Sequence, residues 1–112
     1  MSVRAYTDDA AGLLAKIKHL IDEGHIQTWA YDRDGDFTHT PPQWKCEAWL
    51  RPQLKSDMLR LVILKNKNTA LSREIFAVYH GRFIEMLISH LPGLYTHATA
   101  SPSPVSGDAA LE

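Results

Sequence analysis

The sequence predicts an α+β fold: a two-layer sandwich in which two helices flank a four-stranded antiparallel meander and both pack on one face of it. Three observations carry the expectation. Apolar residues recur at three- and four-residue spacing near each end of the chain. Between those segments the apolar residues alternate, which is the period of a half-buried strand. Turn residues (Asp34-Gly35, Pro41-Pro42, Pro52) punctuate the alternating part. A chain of 112 residues with 45% apolar and 22% charged side chains suits one globular domain.

The first helix is expected over 8–23. Thr7 is a suitable N-cap, and Asp8 and Asp9 complement the positive end of the helix dipole. Leu13, Leu14, Ile17, Leu20 and Ile21 form its apolar stripe, and Gly24 offers a left-handed C-terminal cap. A hairpin follows over 26–41. Centring a two-residue turn on Asp34-Gly35 sets Tyr31 opposite Thr38 and Ala30 opposite His39. Trp29 and Tyr31 then share one face, and Phe37 and His39 the other.

The third strand is expected over 44–51, ending before Pro52, with Trp44, Cys46, Ala48 and Leu50 on one side and Trp49 and Arg51 on the other. On this reading Cys46 is a buried, inert thiol. Met58–Leu64 makes the fourth strand; Leu59, Leu61 and Ile63 face the core, and Val62 and Leu64 point away from it. The second helix should start near Asn68 or Thr69 and reach about Leu91. Its broad apolar arc holds Ile75, Phe76, Tyr79, Phe83, Met86 and Leu87. A smaller stripe of Ala77, Gly81, Ile84 and Ile88 asks for a second contact, either the first helix or another copy of the chain.

The domain therefore spans 1–94. Residues 95–112, rich in Ala, Ser and Pro and without periodicity, read as a flexible tail, and the closing Leu111-Glu112 reads as a cloning remnant. A lone cysteine, no apolar leader before Asp8 and no apolar run near twenty residues lead to the expectation of a reducing, cytoplasmic setting without membrane insertion.

Chemistry is sparse. Asp32, Asp34 and Asp36 alternate as calcium ligands do, but Phe37 occupies the position where a calcium loop needs glycine, and an acidic hairpin turn is the simpler reading. A metal-dependent hydrolase would draw on Asp34, Asp36 and His39, with His80 or His90. The six histidines lack a paired spacing. Helical position suggests that His90 is a core residue and that His80 is polar-facing. With no phosphate loop, no nucleophile elbow and no evident acid–base pair, catalysis is the less favoured class, and no cofactor or metal is expected.

Binding is favoured. All three tryptophans fall between positions 29 and 49, and Trp29, Tyr31, Trp44, Trp49, Arg51 and Arg60 are the candidate binding surface on the helix-free side of the sheet. Aromatic and arginine side chains are the usual anchors of protein interfaces, so a protein partner or a second copy is the first expectation. The alternative is single-stranded nucleic acid stacking on the same aromatics. Residues 45–67 favour it, with Lys45, Arg51, Lys55, Arg60, Lys65 and Lys67 against Glu47 and Asp57; the net charge of −1 does not.

Overall fold

The computed structural model describes residues 3–111; Met1, Ser2 and Glu112 lie outside the described residues, and with them part of the N-terminal and terminal-dipeptide readings. The chain is α+β, with two helices and one six-stranded antiparallel sheet. In chain order the elements are β1 (Val3–Tyr6), α1 (Ala10–Asp22), β2 (Trp29–Tyr31), β3 (Phe37–His39), β4 (Ala48–Leu54), β5 (Met58–Lys65), α2 (Arg73–His90) and β6 (His97–Ala100). The strands lie in the order β2-β3-β4-β5-β1-β6. The expected meander is therefore present as β2 to β5, and β1 and β6 enlarge it from four strands to six.

The topology explains why both helices share a face. Antiparallel pairing throughout makes β1 parallel to β2, and β5 parallel to β6. Each parallel pair is joined through a helix. The two crossovers run in opposite directions from oppositely directed strands, so right-handed connection sends both to the same side. Burial agrees: Ala10, Leu13 and Ile17 of α1 and Ile75, Phe76, Tyr79, Phe83, Met86 and Leu87 of α2 join one core with Val3, Ala5, Leu50, Leu59, Leu61 and Ile63. The broad apolar arc expected of α2 is its buried face.

Helix starts differ from the sequence reading because better caps lie further along. Asp9 caps α1, its side chain accepting from Gly12 N–H at 2.9 Å, while Thr7 Oγ1 accepts from Asp9 N–H. Gly12 is constrained by that cap: a Cβ there would lie 2.2 Å from Asp9 Oδ2. For α2 the cap is Ser72, which accepts from Ile75 N–H at 3.1 Å. The α1 C-terminus is as expected, with Gly24 at φ 80°.

The hairpin register is corrected by one residue. Tyr31 pairs with Phe37, Ala30 with Thr38 and Trp29 with His39. The loop is Arg33-Asp34-Gly35, a three-residue loop in which Gly35 N–H donates to Asp32 O and Gly35 takes φ 84°. Asp32 Oδ1 holds it by accepting from the N–H groups of Asp34 and Asp36 at 2.9 and 3.0 Å. A slip of one residue turns side chains to the other face. As a result Trp29, Tyr31, Phe37 and His39 all point to the helix side.

The third expected strand is also displaced. Residues 41–47 form turns, with Trp44 and Lys45 N–H both donating to Pro41 O, and β4 starts only at Ala48. Cys46 stands at φ 59° and is exposed, which corrects the buried thiol expected of an alternating strand. Its unusual backbone is held by Cys46 N–H to Thr38 Oγ1 (3.0 Å) and by Asn66 Nδ2 to Cys46 O (2.8 Å). At the other end β4 runs through Pro52, paired with Leu61. Ile63 spends its N–H and C=O on the side away from β4, so Leu50 and Pro52 turn theirs away from β5. There β3 has already passed into its loop, and Pro52 lacks no ladder bond.

Residues 95–111, read as a tail, contribute β6, which pairs along β1 from Tyr6–His97 to Val3–Ala100. Further on, Asp108 Oδ1 accepts from Ile63 N–H (3.0 Å) and Ala109 N–H donates to Ile63 O (2.8 Å). These bonds fill the ladder position beside β5 that lies past the Val3 end of β1.

Where β3 and β4 part after Phe37–Leu50, the Tyr79 hydroxyl enters the gap. It donates to Trp44 O, accepts from His39 N–H at 3.4 Å and meets Thr38 Oγ1 at 3.0 Å. Replacing it leaves buried backbone groups without partners, so Tyr79→Phe is expected to lower stability by about 1–3 kcal/mol, read as a lower urea midpoint at unchanged slope.

Candidate functional site

The helix-free face is built from the outward residues of four strands. On β4 and β5 the facing pairs are Trp49 with Leu64, Arg51 with Val62 and Gln53 with Arg60. On β1, Arg4 lies beside Arg60 and Tyr6 beside Met58. Tyr6 also stacks on His97 of β6, with ring centroids 4.4 Å apart. Trp49, Leu64, Met58 and Arg60 are half-buried, and Arg51 is exposed.

Two features neutralise part of this face. Arg51 grips the buried Asp36 carboxylate with two bonds, Nε to Oδ1 at 3.0 Å and Nη2 to Oδ2 at 2.8 Å, and that partner raises the guanidinium pKa further above its ordinary value. The chain's own residues 105–108 cover Val62, which is only 2% exposed. They turn at Gly107, φ 95°, where a Cβ would stand 3.2 Å from the Val62 side chain. Arg60 Nη2 donates to Ser106 O.

Of the six candidate binding residues, the structure places Trp49, Arg51 and Arg60 on this face. Trp29 lies on the other face, 1% exposed, edge-on to Tyr79 and Phe83 and 4.7 Å from the His39 ring. Tyr31 is on that helix side too; its hydroxyl donates to Asp22 Oδ1 at 2.7 Å, and this bond raises its pKa. Trp44 is half-buried in the loop against α2. Sequence reasoning missed Tyr6 and Met58 as members of the face. Leu64, which its alternation with Ile63 turned outward, lies there as expected, opposite Trp49, though it is not among the six candidate binding residues.

Of the residues named for metal chemistry, the aspartates converge but the histidines do not join them. Asp32, Asp34 and Asp36 place carboxylate oxygens within 4.8 Å of one another, but Asp32 ties the hairpin loop and Asp36 is held by Arg51. His39 points to the helix side, opposite Asp36. The histidines of α2 are the reverse of expectation: His80 is buried and stacked on Phe76, whereas His90 is exposed. His90 sits on the apolar arc, but in the last turn of the helix.

Burial lowers the His39 imidazole pKa below its ordinary 6.5, against the opposing effect of the Thr28 carbonyl bond. The unfolded chain therefore binds this proton more readily than the folded one. The stabilising contribution is full above pH 6.5 and is lost as pH falls below it toward the folded value. His39→Gln is expected to flatten that decline, measured as the difference between the two proteins' unfolding free energies across the acid range. Among the described residues no helix is long and apolar enough to cross a membrane. The chain matches no protein-family model, no curated protein and no solved structure.

Proposed function

We propose that this chain acts by binding a protein rather than by catalysis, and that it self-associates through the helix-free face. The observation that carries this reading is the Trp49–Leu64 pair: two large apolar side chains opposed across β4 and β5, half-buried on a face that neither helix covers. Trp49 is the natural anchor, since tryptophan is over-represented among residues that dominate interface energy. Asp36 neutralises Arg51 at its flank, so two copies can approach without like-charge repulsion there. The same engagement, with that of Arg60 by Ser106 O, leaves fewer guanidiniums for phosphates and favours a protein partner over nucleic acid. A reducing, cytoplasmic setting fits the exposed thiol of Cys46.

Sedimentation of the full chain is expected to give a dimer mass. Trp49→Ala is expected to weaken the dimer by about 2 kcal/mol or more, roughly thirtyfold in Kd, and Leu64→Glu to give monomer, both with unchanged melting of the monomer. A wild-type chain that stays monomeric at high concentration ends the self-association reading.

A further inference from the structure

A second candidate site lies on the helix side of the sheet, between α2 and the loop that follows β3. It is a cavity of ≈ 270 Å³ lined in part by His39, Pro41, Gln43, Trp44, Arg82 and Glu85. Its size falls just under the ~300–1,000 Å³ usual for ligand pockets, so only a small molecule fits.

His39 gives the cavity its chemistry. The side chain is only 5% exposed, yet it contributes to the wall. Its Nδ1 is 2.7 Å from Thr28 O. A carbonyl oxygen only accepts, so Nδ1 carries the proton, and the neutral ring is left with a lone pair on Nε2. Among the described residues no group donates to Nε2. Trp29 at 4.7 Å and Tyr79 at 6.2 Å fix the plane of the ring, so it cannot easily turn to find another partner. An acceptor held in place in a cavity wall, with no protein donor on it, is what a ligand N–H or O–H would meet.

Charge enters from α2. Arg82 and Glu85 are one turn apart, and Arg82 Nη1 lies 3.4 Å from Glu85 Oε1; both side chains are more than half exposed. Such a pair is weak and opens readily. The freed guanidinium presents a planar fork suited to a carboxylate. Trp44 and Pro41 supply the apolar wall.

We propose that this cavity binds a small carboxylate with an adjacent hydrogen-bond donor, an α-hydroxy or α-amino acid. The carboxylate meets Arg82, and the hydroxyl or ammonium donates to His39 Nε2, with Glu85 placed to assist an ammonium. The cavity and the helix-free face are on opposite sides of the sheet, so this proposal does not depend on self-association.

The test is an NMR titration of the full-length chain with L-lactate, L-alanine and acetate, following the Trp44 indole and the His39 ring nitrogens. L-lactate or L-alanine is expected to give saturable shifts, with a large change at Nε2 and at least tenfold tighter binding than acetate. Arg82→Gln, at an exposed position that leaves the fold intact, is expected to lose tenfold or more. The proposal is overturned if acetate binds as tightly as both larger acids, if Arg82→Gln binds unchanged, or if neither acid saturates at millimolar concentration.

Discussion

The hydroxyl of Tyr79 joins the two layers at the one place where the sheet comes apart. β3 and β4 pair at Phe37–Leu50 and then separate, which leaves His39 N–H and Trp44 C=O inside the protein without strand partners. Backbone groups in that position must be paired by something. A tyrosine can do it because its ring packs as a core residue while its hydroxyl both donates and accepts. Burial also raises its pKa, which keeps the phenol protonated and able to donate. The loop over 41–47 is thereby docked on α2, with Trp44 and Cys46 set in place and the neighbouring His39 held in its plane.

From that anchor the division between the two sides of the sheet follows. Trp29, Phe37, Tyr79 and Phe83 make an aromatic cluster on the helix side, with tilted or edge-on contacts at 5.0–5.7 Å between neighbours. The other side keeps one tryptophan, Trp49, among arginines and smaller apolar groups. The acidic hairpin is absorbed by structure: Asp32 closes its loop, and Asp36 spends its charge on Arg51 across to β4. Two of the three aspartates in the run that invites a metal reading therefore have roles in holding a short hairpin.

Much of the fold was legible in the residues, and the failures have physical causes. Both helices were readable because a 3.6-residue stripe is long and redundant, so a cap misplaced by two or three residues changes little. The hairpin is not redundant. Asp-Gly suits a two-residue turn, and a three-residue loop ending in left-handed glycine uses the same pair; the Asp32 carboxylate decides between them, and that choice reassigns Trp29, Phe37 and His39 together. β1 and β6 escaped notice because their partners are far away in sequence and because Ala98 and Ala100 have little strand preference of their own. Trp49, Arg51 and Arg60 were recoverable from strict alternation. Trp44 was not, since the apparent alternation from 44 to 47 lies in turns.

The placement of β1 also bears on how the chain comes to be assembled. β1 is made before β2 to β5, but among the described residues it pairs with β5 and β6, elements made much later. During vectorial synthesis Val3, Ala5 and the α1 stripe wait as solvated apolar surface while β2 to β5 are able to pair locally. Closure of the core is then a late event of high contact order, made when β1 meets β5 and β6.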